Sequence, residues 1–187
     1  KPLLIASALL GIGMSAPVQA VEIYGLSTRN EIVRFDSATP NNLMQATFIT
    51  GLAANEGLLG IDFRPNGGQL YGLGSFGRIY TLNTTTGAAT FMSSIFNSAN
   101  MQPILLSGTE FGVDFNPVPD RLRITSNTGQ NLRVNVATGA TVVDGALNQP
   151  GGSPYIVASA YTNSFAGATS TTLFNIDSNS NMLTIQN

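Results

Sequence analysis

The sequence predicts an all-β fold. Four segments of similar pattern recur at intervals of about 50 residues, as expected for stacked supersecondary units. Each segment contains short apolar runs that are rich in Tyr, Phe, Ile and Leu and are separated by turn residues, which is typical of strands. No stretch after residue 20 has the 3.6-residue apolar periodicity of an amphipathic helix. Together, these observations favour antiparallel sheets over a helical architecture.

The repeat is defined by the first apolar residue of each segment. The spacings between successive ones are 47, 52 and 51 residues: Ile23, Leu70, Leu122 and Leu173. A second apolar cluster follows at the same spacings without a gap: Phe35, Leu82, Val134 and Ile185. A third marker, IDFRP from residue 61, recurs as VDFNP from residue 113. The four segments are therefore interpreted as copies of one unit.

The second unit shows the expected strands most clearly. They are Leu70–Leu73, Arg78–Asn83, Ala88–Ser93 and Phe111–Phe115, and Asn/Thr/Gly runs such as residues 83–87 supply the turns. Four strands in about 45–50 residues are the signature of a β-propeller blade. The sequence thus predicts a partial β-propeller of about three and a half four-stranded antiparallel blades. This domain occupies residues 21–187 and is expected to be incomplete at its C-terminus.

The first twenty residues have a different character. Lys1 precedes an apolar run from Leu3 to Met14, and Val18-Gln19-Ala20 matches a small-residue cleavage box. The run is shorter than the ~20 apolar residues of a transmembrane helix. We therefore expect a signal-peptide helix at residues 1–20 and no transmembrane segment. The predicted location of the mature protein is secreted, periplasmic or extracellular.

Composition narrows the possible chemistry. The chain has no Cys and no His, and only 10% of its residues are charged. The absence of Cys excludes disulfides and thiolate metal sites, and the absence of His removes the commonest general base and metal ligand. Seven Arg and ten acidic residues remain after residue 20, without the basic patch of a nucleic-acid-binding protein. We therefore expect no nucleic-acid partner.

One segment imitates a nucleotide-binding motif. Residues 72–77 read GLGSFG, a literal G-x-G-x-x-G. A dinucleotide fingerprint needs a helix after its glycines, because the helix N-terminus binds the pyrophosphate. The segment RIYTLN follows Gly77 and is predicted to be a strand. The hexapeptide is therefore interpreted as a hairpin turn.

Asp62 and Asp114 occupy one repeat-equivalent position and are the candidate metal ligands. Alternation along the strand turns both carboxylates away from their apolar neighbours, so they could converge on a cation such as calcium. Ala160 takes the equivalent position in the third unit and leaves a gap in such a ring. The alternative, which we favour, is that each carboxylate accepts amide hydrogen bonds from its own turn. No catalytic residue and no cofactor are predicted.

Two further features are candidate contacts. The connection from Thr162 to Thr171 is long, and it is either a contact loop for a partner or an ordinary extended hairpin. Its first residues are the candidate contact positions: Thr162, Asn163, Ser164 and Phe165. Arg121 and Arg123 alternate on one strand and are interpreted as a solvated edge rather than as an anion clamp.

From about Glu22 onwards, the chain resembles the domain-of-unknown-function 4394 family (DUF4394) of secreted bacterial proteins. The resemblance is carried by IYGLSTRNEIVRFD, GLLGIDFRPNGGQLYGLG, RIYTLNTTTGAAT, GVDFNPVPDRLRITSNTGQNLRVN and AYTNSFAGATSTTLFNIDSNSNMLTIQN. It implies a β-propeller-like fold with further C-terminal blades, and it implies no known activity.

Two functional hypotheses follow. The first is a secreted, non-catalytic binding or interaction domain of the β-propeller type, whose ligand is an unknown protein or glycan. The second is a metal-dependent propeller enzyme, lactonase- or lyase-like, with Asp62 and Asp114 near a divalent cation.

Overall fold

The computed structural model describes residues 20–150 and 152–186, and every regular element in these ranges is a β-strand. The all-β prediction is confirmed. The described strands are β1 (Glu22–Leu26), β2 (Glu31–Asp36), β3 (Leu43–Phe48), β4 (Leu58–Phe63), β5 (Leu70–Gly74), β6 (Arg78–Leu82), β7 (Ala89–Ser94), β8 (Phe96–Asn97), β9 (Phe111–Asn116), β10 (Arg121–Ser126), β11 (Asn131–Val134), β12 (Ala140–Val143), β13 (Ile156–Tyr161), β14 (Leu173–Asp177) and β15 (Met182–Gln186). The predicted signal-peptide helix, residues 1–20, lies outside the described part except for Ala20. The described residues contain no helix with the length and apolarity needed to span a membrane.

These strands form four sheets. Sheet 1 is β1-β2-β3, sheet 2 is β4-β5-β6-β7, sheet 3 is β9-β10-β11-β12, and sheet 4 is β13-β14-β15. The two-residue β8 extends sheet 3 by pairing parallel with β12, and all other strand pairs are antiparallel. Within the described residues, the unit of four antiparallel strands is thus complete in sheets 2 and 3, and sheets 1 and 4 have three strands each.

The last strand of each predicted unit belongs to the next sheet. Residues 111–115 were assigned to the end of the second unit, but β9 pairs with β10 and begins sheet 3. The physical reason is connection length. Residues 117–120 form a short hairpin turn between β9 and β10, whereas residues 98–110 form a long crossing from β8.

The first strands of sheets 2, 3 and 4 lie side by side, with β9 packed against both β4 and β13. Glycines allow this approach. A Cβ on Gly60 of β4 would lie 2.6 Å from Cγ2 of Val113 in β9. A Cβ on Gly112, the repeat equivalent of Gly60, would overlap Ser159 of β13. Both positions need glycine because a side chain would force the neighbouring strands apart.

Apolar cores join the first three sheets. The core between sheets 1 and 2 is built on four buried residues: Ile32, Leu70, Tyr80 and Leu82. The core between sheets 2 and 3 is larger: Tyr71, Leu73, Ile79, Ile95, Phe115, Leu122, Ile124, Leu132, Val134 and Val136. Each fully buried aliphatic or aromatic side chain contributes about 1.5–3 kcal/mol to stability. These two interfaces therefore account for most of the apolar burial.

The glycine hexapeptide turns the chain between β5 and β6, as predicted, and a strand follows Gly77. Gly77 has a φ of 73°, a conformation that favours glycine. This turn binds the side-chain carboxylate of Glu56. The Phe76 N–H donates to Oε1 of Glu56 at 3.0 Å, and the Tyr80 hydroxyl donates to its Oε2 at 2.6 Å. Gly74 leaves room for this carboxylate, because a Cβ there would overlap Glu56.

Sheet 4 departs from the repeat by one residue. In sheet 3, Leu122 pairs with Val134, but in sheet 4 the equivalent Leu173 pairs with Gln186. The paired residues are 12 positions apart in sheet 3 and 13 apart in sheet 4, so the pairing of β15 is shifted by one residue. The gap-free alignment of Ile185 with Val134 is therefore wrong, and Gln186 takes that place. A one-residue slip moves every side chain of a strand to the opposite face of its sheet.

Candidate functional site

An aromatic pair links successive sheets at the first two interfaces. The ring centroids of Tyr24 and Phe63 are 5.2 Å apart with an interplanar angle of 77°. Those of the equivalent Tyr71 and Phe115 are 5.3 Å apart at 67°. Edge-to-face pairs of this geometry are favourable beyond the area that they bury. The repeat thus specifies an apolar contact at this position.

At the third interface, between sheets 3 and 4, a guanidinium takes the place of one ring of the aromatic pair. Arg123 occupies the position of Tyr71, and its Nε–H donates to the Tyr161 hydroxyl at 3.1 Å. Its Nη1 donates to Oδ1 of Asn131 at 2.7 Å and to Oδ2 of Asp144 at 2.6 Å. Arg123 is only 9% exposed, so its interpretation as part of a solvated edge was wrong. Its buried charge is stabilised by partners on sheet 3 and on β13.

Asp144 joins two guanidinium groups. Besides Arg123, it accepts hydrogen bonds from Nε and Nη2 of Arg133, both at 2.7 Å. Burial alone would raise the pKa of Asp144, but the hydrogen bonds from the two arginines outweigh it and hold this pKa below its usual value. Across the interface, the carboxylate of Asp177 accepts from Nε2 of Gln149 at 3.0 Å, so two carboxylates balance the two guanidinium groups.

The facing wall of sheet 4 is also polar. Asn175 occupies the position that Ile124 holds in sheet 3, and the register slip turns Gln186 toward sheet 3. Ser159 Oγ donates to Oδ1 of Asn175 at 2.6 Å, and Nδ2 of Asn175 donates to Oε1 of Gln186 at 3.1 Å. Gln186 Nε2 then donates to Oδ1 of Asn131 at 3.2 Å. A chain of hydrogen bonds therefore replaces an apolar core.

A cleft of about 800 Å³ opens at this interface. One side is the segment Asp144–Pro150, which follows β12, and the other side is β15. Arg123 and Asn175 also line it. A second cleft of about 500 Å³ shares Arg123 and Gln186 with the first and extends to Thr171. Pockets that combine a few fixed polar groups with partial enclosure are the usual form of ligand sites.

Asp62 and Asp114 face neighbouring strands and link them. Oδ2 of Asp62 accepts the backbone N–H of Phe115 at 2.7 Å, and Oδ2 of Asp114 accepts that of Tyr161 at 2.8 Å. The favoured prediction of hydrogen bonds within each own turn was wrong, because the close packing of β4, β9 and β13 brings in donors from the next sheet. In sheet 4, Ala160 takes the position that Asp114 has in sheet 3, as predicted. Ala160 of β13 pairs with Phe174 of β14, just as Asp114 of β9 pairs with Arg123 of β10.

Burial raises the pKa of both carboxyls. It raises the pKa of Asp62 to about 6 despite the amide hydrogen bond from Phe115. Burial and the nearby charge of Asp62 raise the pKa of Asp114 to about 7. In residues 20–150 and 152–186, no three His, Cys, Asp or Glu side chains are grouped as a metal site.

The predicted contact loop closes on itself. The Thr171 hydroxyl donates to the Thr162 carbonyl at 2.6 Å, and Nδ2 of Asn163 donates to the carbonyl of Ser170 at 3.0 Å. Phe165 is 60% exposed in this loop. Thr171, at the far end of the loop, lines the smaller cleft. The structure thus places the loop beside the cleft rather than inside it.

Sequence reasoning missed the cleft for two reasons. Arg123 was considered only with Arg121 and not against its repeat equivalents, although the series Tyr24, Tyr71, Arg123 shows the change in chemistry. The one-residue shift in the pairing of β15 was hidden because Ile185 gave an apparently continuous apolar match. Counting along the sequence does not reveal the shift, because Leu173 and Ile185 keep the spacing of Leu122 and Val134.

Comparison with known proteins places the chain in a family. Residues 12–187 match the family described as "Domain of unknown function (DUF4394)". The chain belongs to this family. The resemblance seen in the sequence is therefore confirmed. The family description names no ligand and no reaction.

Other comparisons add little about this DUF4394 chain. No curated protein matches it. Among solved structures, it is similar to one titled "Crystal structure of BBS1N in complex with ARL6DN, soaked with mercury", with 11% identity and a TM-score of 0.41. The match covers 91% of this chain and 56% of that chain, so the chain spans little more than half the length of this similar structure.

Proposed function

We propose that this DUF4394 chain is a secreted, non-catalytic binding domain whose four sheets are consecutive blades of a propeller-like array. Its ligand enters the polar cleft between sheets 3 and 4. One observation carries this proposal: the third interface is lined by charged and amide side chains, whereas the two equivalent interfaces are closed by apolar cores. Burial of a guanidinium where the repeat offers a Tyr costs free energy, which the hydrogen bonds and the ion pair of Arg123 must offset.

Binding is favoured over catalysis in this cleft because the carboxylate that lines it, Asp144, is already engaged. Asp144 is held by two arginines, and a carboxylate with a lowered pKa is a poor general base at neutral pH. The cleft offers instead the hydrogen-bonding amides of Asn131, Asn175 and Gln186 and the ion pair of Arg123 with Asp144. Such a lining suits a neutral polar ligand, either a protein segment or a glycan.

Secretion is supported by the N-terminal pattern of a basic residue, an apolar run and a cleavage box. Expression of the full chain in a bacterium, followed by intact-mass analysis of the exported product, tests it. Cleavage after Ala20 gives a product that begins at Val21. A product that retains residues 1–20 would contradict export by this signal.

The binding proposal is tested by substitution of the guanidinium. Arg123→Gln keeps hydrogen-bonding capacity but removes the charge and the bond to Tyr161. Arg121→Gln is the matched control, since the Arg121 guanidinium donates to the carbonyls of Pro119 and Asp120 in its own turn. The wild-type protein and both variants are screened on the same glycan and peptide arrays, after thermal unfolding shows that each is folded. Ligands that lose binding with Arg123→Gln but not with Arg121→Gln support the proposal, and ligands retained equally by all three proteins contradict it.

The metal-dependent alternative is supported by the pair Asp62 and Asp114. Their mutual charge and their burial would both be relieved by a bound divalent cation. Calcium binding to the native state would raise the melting temperature. A rise at millimolar calcium that disappears in Asp62→Asn and Asp114→Asn would favour this alternative. An unchanged melting temperature would reject it.

A further inference from the structure

The hairpin between β4 and β5 carries the one Asn-Gly step of the sequence, Asn66-Gly67. Two backbone hydrogen bonds close this hairpin, both 3.0 Å long. The Arg64 N–H donates to the carbonyl of Gln69, and the Gly68 N–H donates to the carbonyl of Arg64. Within residues 20–150 and 152–186, the N–H of Gly67 donates no backbone hydrogen bond. The hairpin pairing therefore leaves the nitrogen that follows Asn66 unrestrained.

The tip of this hairpin is also open. Asn66 is exposed, and Gly67 and Gly68 have φ values of 101° and 67°. A Cβ on either glycine would meet nothing within 4 Å. Glycine places no side chain beside its own nitrogen, and its wide range of φ and ψ lets the backbone rearrange locally. The carboxamide carbon of Asn66 and the nitrogen of Gly67 can therefore approach each other without steric obstruction.

The Asn66 carboxamide also takes part in a contact between two sheets. The Arg64 guanidinium of this hairpin donates through Nε to Oδ1 of Asp120 at 2.8 Å and through Nη2 to its Oδ2. Asp120 lies in the turn between β9 and β10, so this ion pair joins sheet 2 to sheet 3. Nδ2 of Asn66 donates to the same Oδ2 at 3.4 Å. The amide of Asn66 thus supports the ion pair as a neutral donor.

We propose that Asn66 is a site of spontaneous deamidation, and that its product weakens this contact between sheets 2 and 3. The Gly67 nitrogen, after losing its proton to solvent, attacks Cγ of Asn66 and closes a five-membered succinimide ring. The Cγ–Nδ2 bond breaks, and the leaving group takes a proton from solvent and departs as ammonia. Water then adds to one of the two imide carbonyls. Opening of the Cγ–N bond gives Asp, and opening of the other C–N bond gives isoaspartate.

Both products change the contact with Asp120. A carboxylate at position 66 has no proton to donate, so repulsion between two like charges replaces the hydrogen bond from Nδ2. In isoaspartate the main chain runs through Cγ and is longer by one carbon, inside a hairpin that two backbone hydrogen bonds close. The reaction consumes only water and needs no enzyme. It is also independent of the proposed binding function.

Other positions of the chain serve as internal references. Oδ1 of Asn83 accepts two backbone N–H groups of its own turn, both at 2.9 Å. Thr84 follows it, and the β-branched side chain crowds the attacking nitrogen. The one Asp-Gly step of the sequence is Asp144-Gly145, whose carboxylate is ionised and held by two guanidinium groups. We therefore expect slow conversion at both of these positions.

Peptide mapping tests the modification itself. The full chain is incubated at neutral pH for several days, and its proteolytic peptides are analysed by mass spectrometry. Asn66 should convert from amide to acid at least about tenfold faster than any other Asn, because no Cβ crowds the attacking nitrogen. A methyltransferase specific for isoaspartate should label the same peptide. Asn66→Gln, which would have to close a six-membered imide, should prevent this labelling. Conversion at Asn66 no faster than at the other Asn residues would overturn the proposal.

Thermal unfolding tests the link to Asp120. Asn66→Asp represents one product, and Asn66→Gln, which keeps a neutral amide donor, is its matched control. Asn66→Asp should lower the melting temperature by about 1–4 °C, as expected for loss of a partly exposed polar contact in a chain of this size. Asn66→Gln should lower it less. In an Asp120→Asn background the effect of Asn66→Asp should disappear, because the new carboxylate then faces an amide. An unchanged melting temperature in Asn66→Asp, or an equal fall in both backgrounds, would overturn the proposed effect on the contact.

Discussion

The close approach of β4 and β9 makes Gly60→Ala a sharp test of the inner packing. The added Cβ would lie 2.6 Å from Cγ2 and 2.8 Å from Cβ of Val113. Ordinary van der Waals contact needs about 3.5–4 Å, so the strands must separate by roughly 1 Å or Val113 must leave its rotamer. Overpacking of this kind costs about 1–3 kcal/mol. For a domain of this size, we expect a fall in melting temperature of about 2–10 °C.

A matched control and a second substitution sharpen this prediction. Gly57 precedes β4, and a Cβ there would meet nothing within 4 Å, so Gly57→Ala should change stability by less than about 0.5 kcal/mol. Val113→Ala removes the nearest methyl group, so its effect and that of Gly60→Ala should be less than additive by about 1 kcal/mol. Urea unfolding of the three single variants and the double variant measures these terms. Equal stability of the two glycine variants, or strict additivity, would refute the claim that these strands are in steric contact.

Three further predictions concern the buried charges. Since the pKa values of Asp62 and Asp114 are raised in the folded state, their contribution is fully present below pH 4 and is lost as the pH rises through 6 to 7. Chemical unfolding between pH 4 and 8 should show a loss of more than about 1 kcal/mol, the value of one pKa unit. Asp114→Asn should flatten that profile, and an unaltered profile would contradict the assignment. Asp144→Asn leaves Arg123 buried without its carboxylate and should cost about 3 kcal/mol in urea unfolding. Asp120→Asn, in a more exposed ion pair, should cost about 1 kcal/mol or less, and equal costs would contradict a special role for Asp144.

Much of the fold was predictable because it depends on local patterns. The turn at residues 72–77 and the strands around it follow from alternation and turn chemistry, which act over a few residues. The assignment of residues 111–115 to the wrong sheet arose because pairing is decided by hairpin closure and not by order within a repeat. Pairing across a short turn costs less loop entropy than pairing across a long connection, and the repeat spacing does not show which strands are joined by the shorter one.

The candidate site was less predictable because it depends on contacts between units. Sequence alone brought Asp62 and Asp114 into one repeat position but gave no sign that each accepts an amide from the next strand. Gly60 allows the close approach of β4 and β9, and Gly112 allows that of β9 and β13; the effect of both appears only when the strands are placed side by side. Burial of the two carboxyls follows from these close approaches.

The polar interface arises from two departures from the repeat, and the two meet at Asn131. The guanidinium of Arg123 donates to Asn131 and Asp144 on its own sheet and to the Tyr161 hydroxyl on β13. The one-residue shift of β15 turns Gln186 toward sheet 3, and its Nε2 donates to the same Oδ1 of Asn131 at 3.2 Å. Because one acceptor serves both departures, replacing Asn131 by an apolar residue would take a hydrogen bond from the buried guanidinium and from the facing sheet at once.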